Sequence, residues 1–137
     1  MLDTTVVSEL RKVRSGKADA GVAQWAEQTR TAELFLSVIS IQELEIGVSL
    51  RERKDAAQGR TLQNWLEQHV LPAFANRILS VDVTVARADT RLHVLDPRPV
   101  RDALIAATAL VHGMMVVIRN VADFAPTGAI VLNPRSP

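Results

Sequence analysis

Short aliphatic runs alternate with longer helical patterns along the whole chain, and this alternation limits the possible folds more than any other feature. The runs are apolar on both faces, as is typical of strands buried inside a parallel sheet. Because parallel neighbours are joined by crossover helices, the pattern predicts an α/β fold with a mainly parallel central sheet of about five strands. The predicted strands are Met1–Thr4, Leu34–Val38, Arg77–Val81, Met114–Ile118 and Ile130–Leu132.

Apolar residues between these strands recur at intervals of three and four, which predicts helices that flank the sheet. Asp82 is placed to cap the third helix, and Pro99 and Gly113 suit the start and the end of the fourth. Lys54–Arg60 is interpreted as a connection between helices. The predicted helices are Ser40–Arg53, Leu62–Phe74, Val83–Leu95 and Pro99–His112.

Length and composition narrow the class of protein. The 137 residues predict a single domain over 1–137, and a net charge of +1 excludes the strongly basic footprint of a protein that coats duplex DNA. The absence of cysteine excludes disulfides, zinc–thiolate sites and a thiol nucleophile. The first residues lack the basic segment of a signal peptide, and no apolar run approaches the ~18 residues of a membrane span. We therefore expect a cytoplasmic protein.

Four acidic residues are predicted to meet at one edge of the sheet. Asp3 ends the first strand, Glu43 follows the second within one helical turn, and Asp123 comes shortly after the fourth. Asp102 begins the helix that precedes the fourth strand, and its ~14 residues rise ~20 Å, which returns this acid to the carboxyl edge. Ligands of parallel α/β folds bind at that edge.

Each acid also has a purely local explanation. Ser40 and Glu43 fit a capping box, and Asp3 can cap a helix that starts near Thr5. The acid of the last helix lies where the macrodipole favours negative charge, and Asn120–Asp123 can be a capped turn. These explanations do not account for the shared location of the four acids.

Clustered carboxylates repel one another unless they share a divalent cation. Oxygen ligands without histidine or cysteine favour Mg²⁺, with Mn²⁺ as the alternative. A carboxylate-held Mg²⁺ supports phosphodiester hydrolysis by activating water and stabilising the leaving oxygen.

Four segments of the chain resemble the motifs of a known family and occur in the same order as in that family. The chain resembles the PIN-domain ribonucleases of the VapC/FitB type, which are toxins of bacterial type II toxin–antitoxin pairs, over essentially its whole length. The resemblance implies a Mg²⁺-dependent endoribonuclease that acts on RNA, forms a homodimer and is inhibited by a cognate antitoxin protein. The segments are Met1–Leu10, Ser37–Gly47, Pro99–Ala109 and Arg119–Phe124.

Matching the motifs residue by residue implies an acidic catalytic site in which Asp3 and Asp102 bind the metal directly. Thr5 and Asn120 are implied as supporting residues. The family usually has Asn or Ser where this chain has Thr5, whose hydroxyl can still hydrogen-bond a carboxylate. The implied catalytic residues are Asp3, Glu43, Asp102 and Asp123.

Three arginines lie close in sequence to the acids. Arg98, Arg101 and Arg119 are candidates for binding RNA phosphates, and salt bridges to the acids are the alternative. The stretches Val22–Trp25 and Leu62–Leu66 each offer apolar residues with a tryptophan to the antitoxin, or else belong to the core or to a dimer interface.

A second hypothesis from a different class remains open. The chain can be a catalytically silent PIN-fold binding module that acts through its partner complex. Metal binding separates the two hypotheses, because a silent module has no need of Mg²⁺.

Overall fold

Helices and short strands alternate in the computed structural model, which describes residues 1–13, 15–96 and 98–134. The strands are β1 (Leu36–Ser37), β2 (Ile78–Leu79), β3 (Val116–Val117) and β4 (Val131–Leu132). The helices are α1 (Thr4–Leu10), α2 (Ala20–Gln28), α3 (Val38–Lys54), α4 (Ala56–Trp65), α5 (Leu71–Ala73), α6 (Val83–Leu95) and α7 (Val100–Val111). A π-helical turn spans Leu66–Val70, and 3-10 turns span Thr31–Glu33, Val121–Asp123 and Ala125–Thr127.

The described strands form two parallel pairs. Strand β1 pairs with β2 in the register of Leu36 opposite Ile78, and β3 pairs with β4 in the register of Val116 opposite Val131. The predicted helix-rich α/β domain is confirmed, but a continuous central sheet of about five strands is not confirmed, because both paired sheets are only two residues long.

The N-terminal segment lies between the two pairs. Leu2 forms a parallel bridge with Val117 of β3, and its amide donates to the carbonyl oxygen of Phe35 at 2.9 Å. The amide of Asp3 donates to the carbonyl oxygen of Val117, also at 2.9 Å. These bonds place Asp3 at the end of a backbone segment that joins both halves of the fold.

Side-chain caps shorten the first two predicted strands. The strand predicted over Met1–Thr4 is wrong at its end, since Asp3 caps α1 and the helix begins at Thr4. The strand predicted over Leu34–Val38 is wrong in the same way, because the Ser37 hydroxyl accepts the Ile39 amide at 3.0 Å and starts α3 at Val38.

The region after α3 also differs from the prediction. Lys54–Arg60 is not a connection, because the Asp55 carboxylate accepts the Gln58 amide at 3.1 Å and begins α4 directly. The single helix predicted over Leu62–Phe74 is interrupted by the π-helical turn. Pro72 lacks the amide that a regular α-helix would use there, and this accounts for the wider turn before it.

The last two long helices agree closely with the prediction. Asp82 caps α6 by accepting the Val85 amide at 2.9 Å. Pro99 precedes α7, and Gly113 follows it with a φ of +63°, a conformation that glycine adopts without strain.

Two clusters of buried apolar side chains form the core. One lies around α7 and β3 and includes Ile105 and Phe124, and the other joins α1 to β1 and to the π-helical turn through Val6, Leu36 and Leu66. No helix among the described residues is long and apolar enough to cross a bilayer.

Candidate active site

Asp3 is the buried N-cap of α1. Its Oδ2 atom accepts the backbone amide of Thr5 at 3.2 Å and the Thr5 hydroxyl at 2.5 Å. Burial raises the pKa of Asp3, and this effect outweighs the hydrogen bonds from Thr5, which lower it; the negative charge of Glu43 raises it further. The local explanation of Asp3 as a helix cap is therefore correct, and its carboxylate also lies close enough to Glu43 for the charge of Glu43 to raise its pKa.

Glu43 reaches across from α3 to two other elements. The hydroxyl of Thr4 on α1 donates to its Oε1 at 2.7 Å, and Nε of Arg101 on α7 lies 3.3 Å from its Oε2. The predicted capping box of Ser40 and Glu43 is wrong, because Ser37 rather than Ser40 caps α3. Glu43 thus has no capping role in its own helix and is held by side chains that are distant in sequence.

Asp102 lies in the first turn of α7, partly buried. Burial raises its pKa most, followed by the negative charges of Asp3, Glu43 and Asp123, whereas Arg101 lowers it. Asp102 therefore lies within electrostatic reach of the other three acids.

Asp123 is carried by the 3-10 turn Val121–Asp123 and is exposed. Its amide donates to the backbone oxygen of Asn120 at 3.2 Å, while the Asn120 side chain makes no capping hydrogen bond to the turn. Phe124 is buried and anchors the far end of the turn in the core. Asp123 is thus exposed, and its charge is close enough to Asp102 to raise the pKa of that residue.

An open groove of about 300 Å³ lies beside Glu43 and Asp102, between α3 and the start of α7. It is lined by Glu43, Pro99, Val100, Arg101 and Asp102. Within the described part of the chain, no three acidic or histidine side chains stand in a preformed metal cage. The donor set is nevertheless composed of hard carboxylate and hydroxyl oxygens, which match a small divalent cation.

The three candidate arginines lie in different surroundings. Arg101 is half exposed beside Glu43, at the groove. Arg98 folds back on its neighbour, since its Nε donates to the Asp96 carbonyl oxygen at 3.0 Å. Arg119 places Nη1 3.4 Å from Oε2 of Glu9. The structure thus brings Arg101 alone of the three to the rim of the groove.

Thr4 and Glu9 were missed by the sequence analysis. Thr4 adjoins Asp3, but only the turn into α1 shows that its hydroxyl meets a carboxylate on α3. Glu9 and Lys12 have helical i, i+3 spacing, which suggests a local ion pair only. The decisive partner of Glu9 is Arg119, 110 residues further along the chain, and no local signal indicates it.

The two tryptophans differ in exposure. Val22 and Trp25 are buried, so this predicted surface belongs to the core. Leu62 and Trp65 are partly buried and line a second groove of about 400 Å³, and the Arg11 guanidinium lies 5.9 Å from the centre of the Trp65 ring.

Comparison with known proteins identifies the family. Residues 1–127 match the PIN domain. The chain is 37% identical to the VapC ribonuclease Y4jK of Sinorhizobium fredii, covering 100% of this chain and 98% of that protein. Among solved structures, FitAcB from Neisseria gonorrhoeae is 31% identical with a TM-score of 0.85, covering 97% of this chain and 96% of that one.

A toxin–antitoxin complex from Klebsiella pneumoniae is also similar, at 25% identity and a TM-score of 0.66, covering 99% of this chain and 98% of that one. The chain belongs to the PIN domain family. Within that family it is a VapC/FitB-like member.

Proposed function

We propose that this protein is a Mg²⁺-dependent endoribonuclease and the toxin of a toxin–antitoxin pair. The observation that carries the proposal is the convergence of acids from separate segments: Glu43 and Asp102 line one groove, and the pKa of Asp102 is raised by burial and then by the charges of Asp3, Glu43 and Asp123. Like charges held close together in this way are typical of a functional site. A relative that this chain matches over 98% of that protein bears the name ribonuclease, and a similar solved complex is described as toxin–antitoxin.

The four acids offer hard oxygen donors, and this donor chemistry suits a divalent cation. Asp3 and Asp102 would hold it directly, and Glu43 and Asp123 would complete the ligand set or orient water. Bound Mg²⁺, or Mn²⁺ in its place, would activate water and stabilise the leaving oxygen of a phosphodiester. An all-carboxylate set without histidine or cysteine favours these ions over zinc.

The side chains around the acids have positioning roles in this proposal. Thr5 orients Asp3 through its hydroxyl and amide, and Thr4 fixes one oxygen of Glu43. Arg101 neutralises the other oxygen of Glu43 and, being 52% exposed, can also contact an RNA phosphate that enters the groove.

The test is incubation of the purified protein with total RNA, with Mg²⁺ or with a chelator. We expect cleavage in Mg²⁺, no cleavage in chelator, and no cleavage by Asp3→Asn or Asp102→Asn. Glu27→Gln, an exposed acid on α2, serves as the control and should cleave normally. A wild-type protein that neither binds Mg²⁺ nor cleaves RNA would instead support the silent binding module.

We also propose that the antitoxin occupies the groove between α1 and α4. Leu10, Leu62 and Trp65 supply its apolar lining, and Arg11 and His69 border it. Co-expression with the product of the neighbouring open reading frame should give a stable complex without nuclease activity. Trp65→Ala should weaken that complex, whereas Leu50→Ala, which removes an exposed apolar side chain of α3, should not.

A homodimer is the proposed assembly. Val94, Leu95 and Val100 are exposed on either side of the connection between α6 and α7, with 79%, 79% and 63% of their surface accessible. Light scattering should report a dimer that Leu95→Ser weakens. Val83→Ser, at the opposite end of α6 and 75% exposed, is the matched control and should leave the dimer intact.

A further inference from the structure

Glu9 holds a buried carboxylate near the end of α1, outside the acidic cluster. Its Oε1 accepts the backbone amide of Asp19 at 2.8 Å, and its Oε2 lies 3.4 Å from both Lys12 Nζ and Arg119 Nη1. The Asp19 amide, and then Lys12 and Arg119, hold the pKa of Glu9 below its usual range despite its burial. Glu9 is therefore ionised at neutral pH and forms a true ion pair with Arg119.

The partner of Glu9 lies at the start of a segment that carries one of the four acids. Arg119 follows β3 closely and directly precedes Asn120, where the turn to Asp123 begins. The Nε atom of Arg119 is buried without a hydrogen-bond partner in the described residues, so this part of its guanidinium faces the protein interior. Phe124 anchors the other end of the turn.

Helix α1 is thus attached to this part of the fold at both of its ends. At its start, the Asp3 amide donates to the carbonyl oxygen of Val117 in β3. At its end, Glu9 contacts Arg119. Two contacts on different sides of α1 restrict its orientation relative to β3 and Arg119. Asp3 lies next to the first contact, and Asp123 lies in the turn that follows Arg119.

We infer that Glu9 and Arg119 are positioning residues, whose ion pair sets the placement of Asp123 relative to Asp3. This inference rests on the proposed function, in which Asp3 and Asp123 belong to the same metal site. It also assigns Arg119 a role other than the phosphate contact predicted from the sequence. Residues that orient metal ligands without touching the metal commonly change metal affinity or activity by about 10-fold to 100-fold when they are replaced.

The experiment compares Glu9→Gln and Arg119→Gln with Lys12→Gln. Lys12 is the matched control, because its Nζ atom lies as far from Oε2 of Glu9 as Nη1 of Arg119 does. Lys12 lies just after α1 in sequence, so its contact with Glu9 does not connect α1 to the segment that follows β3. The readouts are Mg²⁺ affinity by calorimetry, kcat and KM measured separately on RNA, and amide hydrogen exchange over residues 120–124 without metal.

Both substitutions of the pair should weaken Mg²⁺ binding and lower kcat by about 10-fold or more, with little change in KM. Amide exchange over residues 120–124 should become faster, while Lys12→Gln should match the wild type in every readout. Arg119→Lys, which keeps the charge beside Glu9, should restore most of the loss and covers the case in which Arg119→Gln folds poorly.

Three outcomes would overturn the inference. The first is a raised KM with an unchanged kcat in Arg119→Gln, which would make Arg119 a phosphate contact. The second is an equal effect of Lys12→Gln, and the third is unchanged exchange over residues 120–124 in folded variants. Failure of the proposed function is distinguishable, because the wild type would then lack Mg²⁺ binding and cleavage while the exchange measurement still tests the ion pair.

Discussion

Replacing Thr4 by valine removes the hydroxyl that donates to Glu43 at 2.7 Å and keeps the shape of the side chain. A hydrogen bond to a charged group contributes about 1.5–3 kcal/mol to stability. Because the Glu43 side chain is 22% exposed, water can partly replace the lost donor. We therefore expect the free energy of unfolding to fall by about 1 kcal/mol.

For 137 residues, an unfolding entropy of about 2.1 cal/mol/K per residue converts this loss into a decrease in Tm of roughly 3–4 °C. Thermal unfolding followed by circular dichroism measures it. The control is Thr90→Val on α6, whose hydroxyl donates only to the Ala86 carbonyl oxygen of its own helix at 3.0 Å. Equal Tm values for Thr4→Val and the wild type, or an equal loss in Thr90→Val, would refute the argument that Thr4 holds Glu43.

Two further substitutions test the energetics of the site and of the packing behind it. Asp102→Asn should raise Tm near neutral pH without metal, because a raised pKa means that the ionised Asp102 opposes folding. The gain should vanish as the pH falls below the ordinary Asp pKa of about 3.9, where Asp102 is protonated in both the folded and the unfolded protein. A gain in Tm that persists at that pH would contradict this cause. Gly59→Ala should lower the unfolding free energy by about 1–2 kcal/mol, since a Cβ would lie 2.5 Å from the Cα of Glu52 and overpacking exceeds the gain in helix propensity. Gly47→Ala on α3, where nothing lies within 4 Å of the added atom, should be stabilising instead, and chemical denaturation of the two variants decides the sign.

Periodicity and topology predict much of this fold, because they depend on burial that the sequence itself displays. The start of α6 follows from Asp82, and the start and end of α7 follow from Pro99 and Gly113. The return of Asp102 toward the other acids follows from the length of α7. These features need only local patterns and the geometry of a parallel crossover.

The errors arise where two local signals compete. Ser37 and Ser40 are both plausible caps, and the serine at the end of the strand starts the helix, which leaves Glu43 free to bond with Thr4. Asp55 likewise begins a helix within Lys54–Arg60, where the sequence pattern predicts a connection. The contact between Glu9 and Arg119 depends on tertiary structure alone, so no window of sequence contains it.

The chemistry of the RNA ends provides the most direct test of a metal-dependent hydrolase. Water attack on the phosphodiester leaves one fragment with a hydroxyl and the other with a phosphate monoester, and requires no participation of the ribose 2′-hydroxyl. Mass spectrometry of the fragments made by the wild-type protein in Mg²⁺ should therefore find only hydroxyl and phosphate monoester ends. No fragments should form after chelation. Fragments that end in 2′,3′-cyclic phosphate, or cleavage that continues in chelator, would contradict the account.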